Sequence, residues 1–282
     1  MAYDCKAFAN LKLTELQKKN ASWLIKYMDQ YKITNPYIRN AILTICYKES
    51  GYIAKVENCY SRKDGVAKVR RIFGARLSAY TDAEVLKLLD NCIDFFDAVY
   101  GSRVDKIIGF KTGNNNKGDG YKYRGRGYNG ITFKVQYEAI GKKMGLDLVK
   151  NPELLETPEN QAKSTIIYFL DAFKSQDKRI KNKPYMNGKS ALMVDNYDSA
   201  LKLIYNINAG LGFDMDNLIK DDKTGGWKIT QCVKDQIPKL LGSIKPASNN
   251  IPILLAGIFF FTIVNPKWIK KNLPKSITKF LK

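Results

Sequence analysis

The sequence predicts a mainly α fold with long loops and a separate hydrophobic and basic C-terminal segment. Three observations carry this. Helix-start signals precede apolar residues at helical spacing, strand-like alternation is rare and short, and the glycine-rich stretch around Gly109 to Gly127 is longer than a simple connection needs. A chain of 282 residues, 45% hydrophobic and 12% aromatic, can bury the core of one large domain, with or without an appendage.

The elements follow in order. Asp4, Lys6 and Asn10 interrupt any apolar run at the start, so no secretory signal is expected and synthesis should be cytoplasmic. Thr14-Glu15-Leu16-Gln17 has the form of a capping box and opens a helix to about Gln30. Asn35-Pro36 supplies a cap and a first-turn proline, and Ile38, Ile42 and Ile45 recur at helical spacing up to Gly51. Further helices are expected near Ala83 to Val99, Thr132 to Met144, Pro158 to Phe173 and Asn196 to Asn206. No internal repeat is present.

The domain is expected to end near residue 244. Lys245 to Asn250 reads as a linker, and residues 245–282 as a hydrophobic and amphipathic basic segment. The run from Ile251 to Val264 covers about 21 Å as a helix, short of the roughly 30 Å hydrocarbon core. Beyond Pro266, Trp268, Ile269, Leu273, Ile277, Phe280 and Leu281 share one helical face, and lysines largely occupy the others. Two readings stand for residues 251–282: contact with an anionic membrane surface, and packing on the body or on a partner protein.

Composition excludes several chemistries. The chain has no histidine, which removes Ser-His-Asp and Cys-His nucleophile systems and histidine-bearing zinc sites. No metal or cofactor is expected. A formal charge of +20 attracts polyanions, but no zinc finger, RNP motif or long basic run favours nucleic acid. Cys5, Cys46, Cys59, Cys92 and Cys232 are odd in number, far apart and without a C-x-x-C pair, so they read as reduced, mostly buried thiols.

Two carboxylates and one loop stand out. Glu49 follows Ile38, Ile42 and Ile45 on one helical face, close to the carboxyl end, where desolvation and the macrodipole both oppose its charge and suit it to general acid work. The plainer reading is a glutamate that simply emerges from the core into solvent at the helix end. Glu57 lies eight residues on, beyond Gly51, where two carboxylates roughly 6.5 to 9.5 Å apart would admit a water between base and anomeric carbon. Pairing with Lys55 is the simpler alternative. The block Gly118-Asp119-Gly120-Tyr121-Lys122-Tyr123-Arg124-Gly125-Arg126-Gly127 reads either as a polar turn or as a binding loop in which Tyr and Arg present flat faces and fork-shaped donors.

Lys48-Glu49-Ser50-Gly51, Glu57-Asn58-Cys59-Tyr60-Ser61, Val99-Tyr100-Gly101-Ser102-Arg103, the glycine-rich block continued as Tyr128-Asn129-Gly130-Ile131-Thr132, Leu146 to Leu155 and Ile207-Asn208-Ala209-Gly210 occur in this order. Together they resemble glycoside hydrolase family 19, the chitinase-like family, in its phage-endolysin branch, over about Leu13 to Gly212. The resemblance implies a lysozyme-like, two-lobed helical domain that hydrolyses peptidoglycan glycan strands, with chitin as the nearest other substrate. A hydrolase fold turned structural or injection protein of a phage particle, its tail docked on other virion proteins, is a further alternative. By resemblance, Glu49 is the general acid, Glu57 the general base and Thr132 the holder of the attacking water. Arg126 shapes the cleft, Tyr123 lies against the sugar, and Asn208 contacts the saccharide from the far wall. Two departures stand in the sequence. The Glu57 motif is one residue shorter than the family's, and Gly130 occupies the position of a substrate-binding Gln whose contact would be either lost or replaced by Asn129.

Overall fold

Side-chain caps start the principal helices, and the core then gathers them around one central helix. The computed structural model describes residues 4–211, 214–220, 222 and 225–242. Among these the fold is mainly helical, with no named strand and two isolated antiparallel bridges, Val56 with Arg126 and Arg126 with Ile131.

The first two helices start where their caps predict. α1 (Glu15–Gln30) follows Thr14, whose hydroxyl accepts from the Gln17 N–H while the Gln17 side chain accepts from the Thr14 N–H. α2 (Pro36–Ser50) follows Asn35, whose side chain accepts from the N–H groups of Tyr37 and Ile38. It stops at Gly51, which takes the left-handed conformation at φ 59°.

The helix expected near Ala83 to Val99 divides in three dimensions. After α3 (Val66–Phe73), α4 (Asp82–Leu88) is opened by a capping box of Thr81 and Glu84, and α5 (Cys92–Tyr100) by Asn91, which accepts from Ile93 and Asp94. Asn91 satisfies the free donors of a new helix better than it would sit inside a continuous one. Two single turns follow, α6 (Asp105–Ile108) and α7 (Asp119–Lys122), the latter inside the glycine-rich block.

α8 (Lys134–Met144) begins two residues later than the pattern suggests. Phe133 has φ 75°, which no helix accommodates, and the Lys134 N–H is instead taken up by the Asn114 side chain. The remaining helices are α9 (Pro158–Ser175), α10 (Asp177–Lys181), α11 (Tyr197–Ala209), α12 (Met215–Lys220), α13 (Gly226–Val233) and α14 (Ile237–Leu241).

α2 is apolar on most of its circumference and accordingly becomes the centre of the core, packed by α1, α11, α13 and α14. Ile38, Ala41, Ile42, Ile45 and Cys46 are all fully buried. Each such branched aliphatic side chain contributes about 1.5–3 kcal/mol of transfer free energy. A second, aromatic cluster joins Val69, Phe73, Leu77, Phe95, Phe96, Val99, Tyr100 and Phe133. A third joins Tyr123, Ile131, Tyr137, Ile140, Leu148 and Ile167.

The cysteines correct the sequence reading. Cys5 pairs with Cys232 and Cys59 with Cys92, leaving Cys46 as the free, buried thiol among the described residues. Partners 227 and 33 residues apart carry no local signal, yet the fold brings their Cα atoms to 5.2 and 5.4 Å, within disulfide reach.

All described residues belong to one compact unit, Met1–Pro246, and none of its described helices is long and apolar enough to cross a membrane. The hydrophobic run 251–264 and the basic stretch after it lie outside the described residues.

Candidate active site

Glu49 occupies the penultimate position of α2, where the helix leaves the core. The burial of Ile38, Ile42 and Ile45 carries that face outward until the Glu49 side chain is 29% exposed. Two donors converge on one of its oxygens. Lys48 Nζ lies 2.5 Å from Oε1, and Asn208 Nδ2 on α11 donates to the same atom at 2.7 Å. Lys48 is itself held, its ammonium over the Tyr205 ring at 4.8 Å. The Asn208 Oδ1 is buried without a hydrogen-bond partner, an acceptor left open beside Glu49.

Glu57 sits on the loop after α2, which the glycine-rich block holds by its backbone. The Glu57 N–H donates to Gly125 O at 2.7 Å, the Gly127 N–H to Lys55 O at 3.3 Å, and Arg124 Nε to Glu57 O at 2.9 Å. Its carboxylate accepts the Tyr100 hydroxyl at 3.1 and 2.9 Å on its two oxygens and the Gly125 N–H at 3.2 Å. Burial pushes the Glu57 carboxyl above its ordinary value, and the Tyr100 and Gly125 hydrogen bonds with the charges of Arg124 and Arg76 offset only part of that rise. Among the described residues Lys55 makes no ion pair, so the simple surface pairing with Glu57 does not occur.

Both carboxylates line one cleft of about 350 Å³, with Ser50, Lys55, Asn58, Tyr100, Gly125, Tyr128, Gly130 and Thr132 among its walls. Gly125 is the narrow point. A Cβ there would stand 3.2 Å from Glu57 Oε2 and 3.6 Å from Thr132 Oγ1, so both groups face the same small space and a side chain would crowd them. The Thr132 hydroxyl donates to Gly130 O at 2.8 Å, which leaves its lone pairs to accept from a water. Gly130 has φ 68°, a backbone that a glutamine would adopt only under strain, although the space around it is open.

The structure separates the remaining expectations. Glu49, Glu57 and Thr132 meet on the cleft, and Asn208 reaches it through Glu49. Tyr123 does not: its ring is 1% exposed in the third hydrophobic cluster and its hydroxyl donates to Val149 O, so it has no face left for a sugar. Arg126 is also buried, at 6% exposure, bonding Glu156, Lys122 O and Tyr137 from behind the cleft wall. Asn129 accepts from Thr165 and is absent from the cleft lining. The block thus turns its glycine backbone to the cleft and much of its aromatic and arginine surface to the core.

Tyr100, Asp97, Lys48 and Arg124 are functional neighbours that residue-by-residue reading missed. Asp97 fastens the block to α5 by accepting the Gly118 and Gly120 N–H groups at 2.6 and 2.9 Å. Apart from Lys48, which neighbours Glu49 in the chain, these residues act across separations of 21 to 67 positions, so spacing carries no trace of their contacts. A larger cavity, about 470 Å³, lies at Asn182 to Tyr185, Lys202 and Asp214 to Asp216, and holds neither carboxylate. Among the described residues no group of three or more Cys, Asp or Glu side chains forms a metal-binding set.

Scanned against protein-family models and searched against curated proteins, the chain has no match. Its chemistry therefore rests on the cleft. Two carboxylates in unlike surroundings, one bound by an ammonium and an amide, the other buried against a phenol and the Gly125 N–H, are equipped for paired proton transfer.

Proposed function

We propose that this chain is a glycoside hydrolase that cuts the β-1,4 glycan backbone of peptidoglycan by inverting general acid/base catalysis. The observation that carries the reading is the presence of Glu49 and Glu57 on one cleft in different electrostatic surroundings. Glu57 acts as base: its raised pKa places it nearer neutral pH, where a base draws a proton from water more effectively. Thr132, with its proton committed to Gly130, holds that water. Glu49 protonates the leaving oxygen. Lys48 and Asn208 both occupy Oε1, which leaves Oε2 as the oxygen to face the substrate.

The ordered motifs that resemble the chitinase-like family support the same assignment. A lysozyme-like, two-lobed domain is the accompanying fold proposal, with the α2 core behind Glu49 and the aromatic cluster behind Glu57. The basic surface suits an anionic cell wall. Two disulfides suit an enzyme that works at the wall, beyond the reducing cytoplasm in which it is made. Residues 251–282 remain the proposed contact with an anionic membrane or with other virion proteins.

Burial of Tyr123 and Arg126 favours one rival, a phage-particle structural protein whose hydrolase fold serves as a scaffold. Purified sacculi decide between them. The wild-type chain should release reducing ends and Glu49→Gln should not, while both remain folded. Mass spectrometry of the products, with chitin oligomers in parallel, identifies the bond, and the anomer formed first reports inversion. Absence of released reducing ends from the wild type overturns the enzyme reading.

A further inference from the structure

We propose that the Cys59–Cys92 disulfide is a positioning pair for Glu57, so that breaking this one bond disables the cleft while the rest of the fold persists. The inference rests on the hydrolase reading for its kinetic consequence, and on geometry for everything else.

Upstream, the Glu57 loop is well held, because backbone bonds from Lys55 and Glu57 tie it to Gly127 and Gly125. Downstream it is not. Among the described residues no backbone hydrogen bond engages Asn58, Cys59 or Tyr60, and the chain is next fastened by its backbone at Ser61. In that gap stand the disulfide and the Tyr60 ring, which packs on Phe73, Phe95 and Phe96. Only Asn58 separates Cys59 from Glu57. Cys92 is the first residue of α5 and Tyr100 its last, so the helix that anchors the loop through sulfur also supplies the hydroxyl that binds the Glu57 carboxylate. The disulfide therefore fixes loop and helix at one end of the contact that Tyr100 makes at the other.

The two disulfides differ in access. Cys59 is exposed and Cys92 half-buried, whereas Cys5 is half-buried and Cys232 is 7% exposed. Thiol–disulfide exchange needs an approach to sulfur, so a mild dithiol reacts first at Cys59–Cys92. Its thiolate attacks Cys59 Sγ, Cys92 leaves as thiolate and takes a proton, and the second thiol closes the reagent into a cyclic disulfide. That step releases and protonates the Cys59 thiolate. The protein gains two thiols and the reagent is oxidised by two electrons.

The test uses the full chain and reads Glu57 directly. Carbon-13 NMR of the glutamate carboxyls, assigned with Glu57→Gln, follows Glu57 titration in the oxidised wild type, in Cys59→Ala/Cys92→Ala and in Cys5→Ala/Cys232→Ala. The groups facing Glu57 are Tyr100, Tyr60, Arg76 and Arg124, and none is altered. The expected result is that Cys59→Ala/Cys92→Ala moves the Glu57 titration toward the ordinary glutamate range and lowers kcat by roughly ten- to a hundredfold with little change in KM, as misplacement of a catalytic group does. Cys5→Ala/Cys232→Ala should leave the titration in place. Should the first double variant not fold, mild dithiothreitol on native wild type gives the same comparison, with reoxidation restoring the signal. An unchanged Glu57 titration after loss of Cys59–Cys92, or an equal change after loss of Cys5–Cys232, overturns the proposal. If the wild type hydrolyses nothing, the hydrolase reading fails alone, and the titration still decides whether the disulfide positions Glu57.

Discussion

The Tyr100 hydroxyl lies 2.9 Å from Glu57 Oε2 and 3.1 Å from Oε1, bridging the last residue of one helix to a carboxylate 43 positions earlier in the chain. Tyr100 is largely buried, and its own ionisation is pushed far up by that burial and by the neighbouring carboxylate, so it acts as a donor throughout the working pH range. It is the strongest of the influences that hold the Glu57 pKa down against burial.

Tyr100→Phe should therefore raise the Glu57 pKa further. A base must be ionised, so the acid limb of the pH–activity profile should move to higher pH. Loss of a hydrogen bond to a charged group, worth about 1.5–3 kcal/mol, corresponds to roughly a tenfold or greater fall in kcat/KM below the new limb. Reducing-end release from sacculi across the pH range measures it, and an unmoved acid limb would refute the coupling.

Glu57→Gln should abolish hydrolysis yet change stability in a pH-dependent sense. The folded-state pKa of Glu57 is raised, so the group's favourable contribution is complete below its unfolded pKa and disappears as pH rises through the folded value. The variant should gain on the wild type as pH climbs through that interval and hold a constant advantage above it. Urea titrations at acidic and neutral pH provide the comparison, and a stability difference independent of pH would contradict it.

Asp97→Ala should loosen the glycine-rich block. It removes the acceptor of the Gly118 and Gly120 N–H groups, at a cost of about 3–6 kcal/mol for two bonds to a charged partner. Hydrogen exchange should accelerate most at those two amides. Uniform acceleration along the chain would point to global destabilisation instead.

Asn208→Ala removes one of the two donors on Glu49 Oε1 and leaves Lys48 as the other. Turnover should fall by roughly tenfold, the equivalent of about 1–1.5 kcal/mol, while the melting temperature changes little. Wild-type turnover in this variant would remove Asn208 from the site.

Helix starts were legible because their determinants are local. Thr14 with Gln17, Asn35 with Pro36 and Asn196 each satisfy free N–H groups within three residues, and a window of sequence contains the whole interaction. Asn91 is equally local but was hidden inside an apolar series that suggested one continuous helix. Glu49 was legible for a related reason: an acid on an apolar face near a glycine stop marks the point where a buried helix meets solvent.

Tertiary structure alone decided which way the residues of the block face. Composition marked Gly118 to Gly127 as unusual, but Tyr123 and Arg126 turn inward because Val149, Glu156 and Tyr137 wait for them there. It also decided the cysteine pairing and the surroundings of Glu57, both assembled from positions tens to hundreds of residues apart. Capping and amphipathic spacing act over three or four residues and are written into the order of side chains. Burial, disulfide reach and a carboxylate's electrostatic setting depend on distances that exist only once the chain has closed on itself.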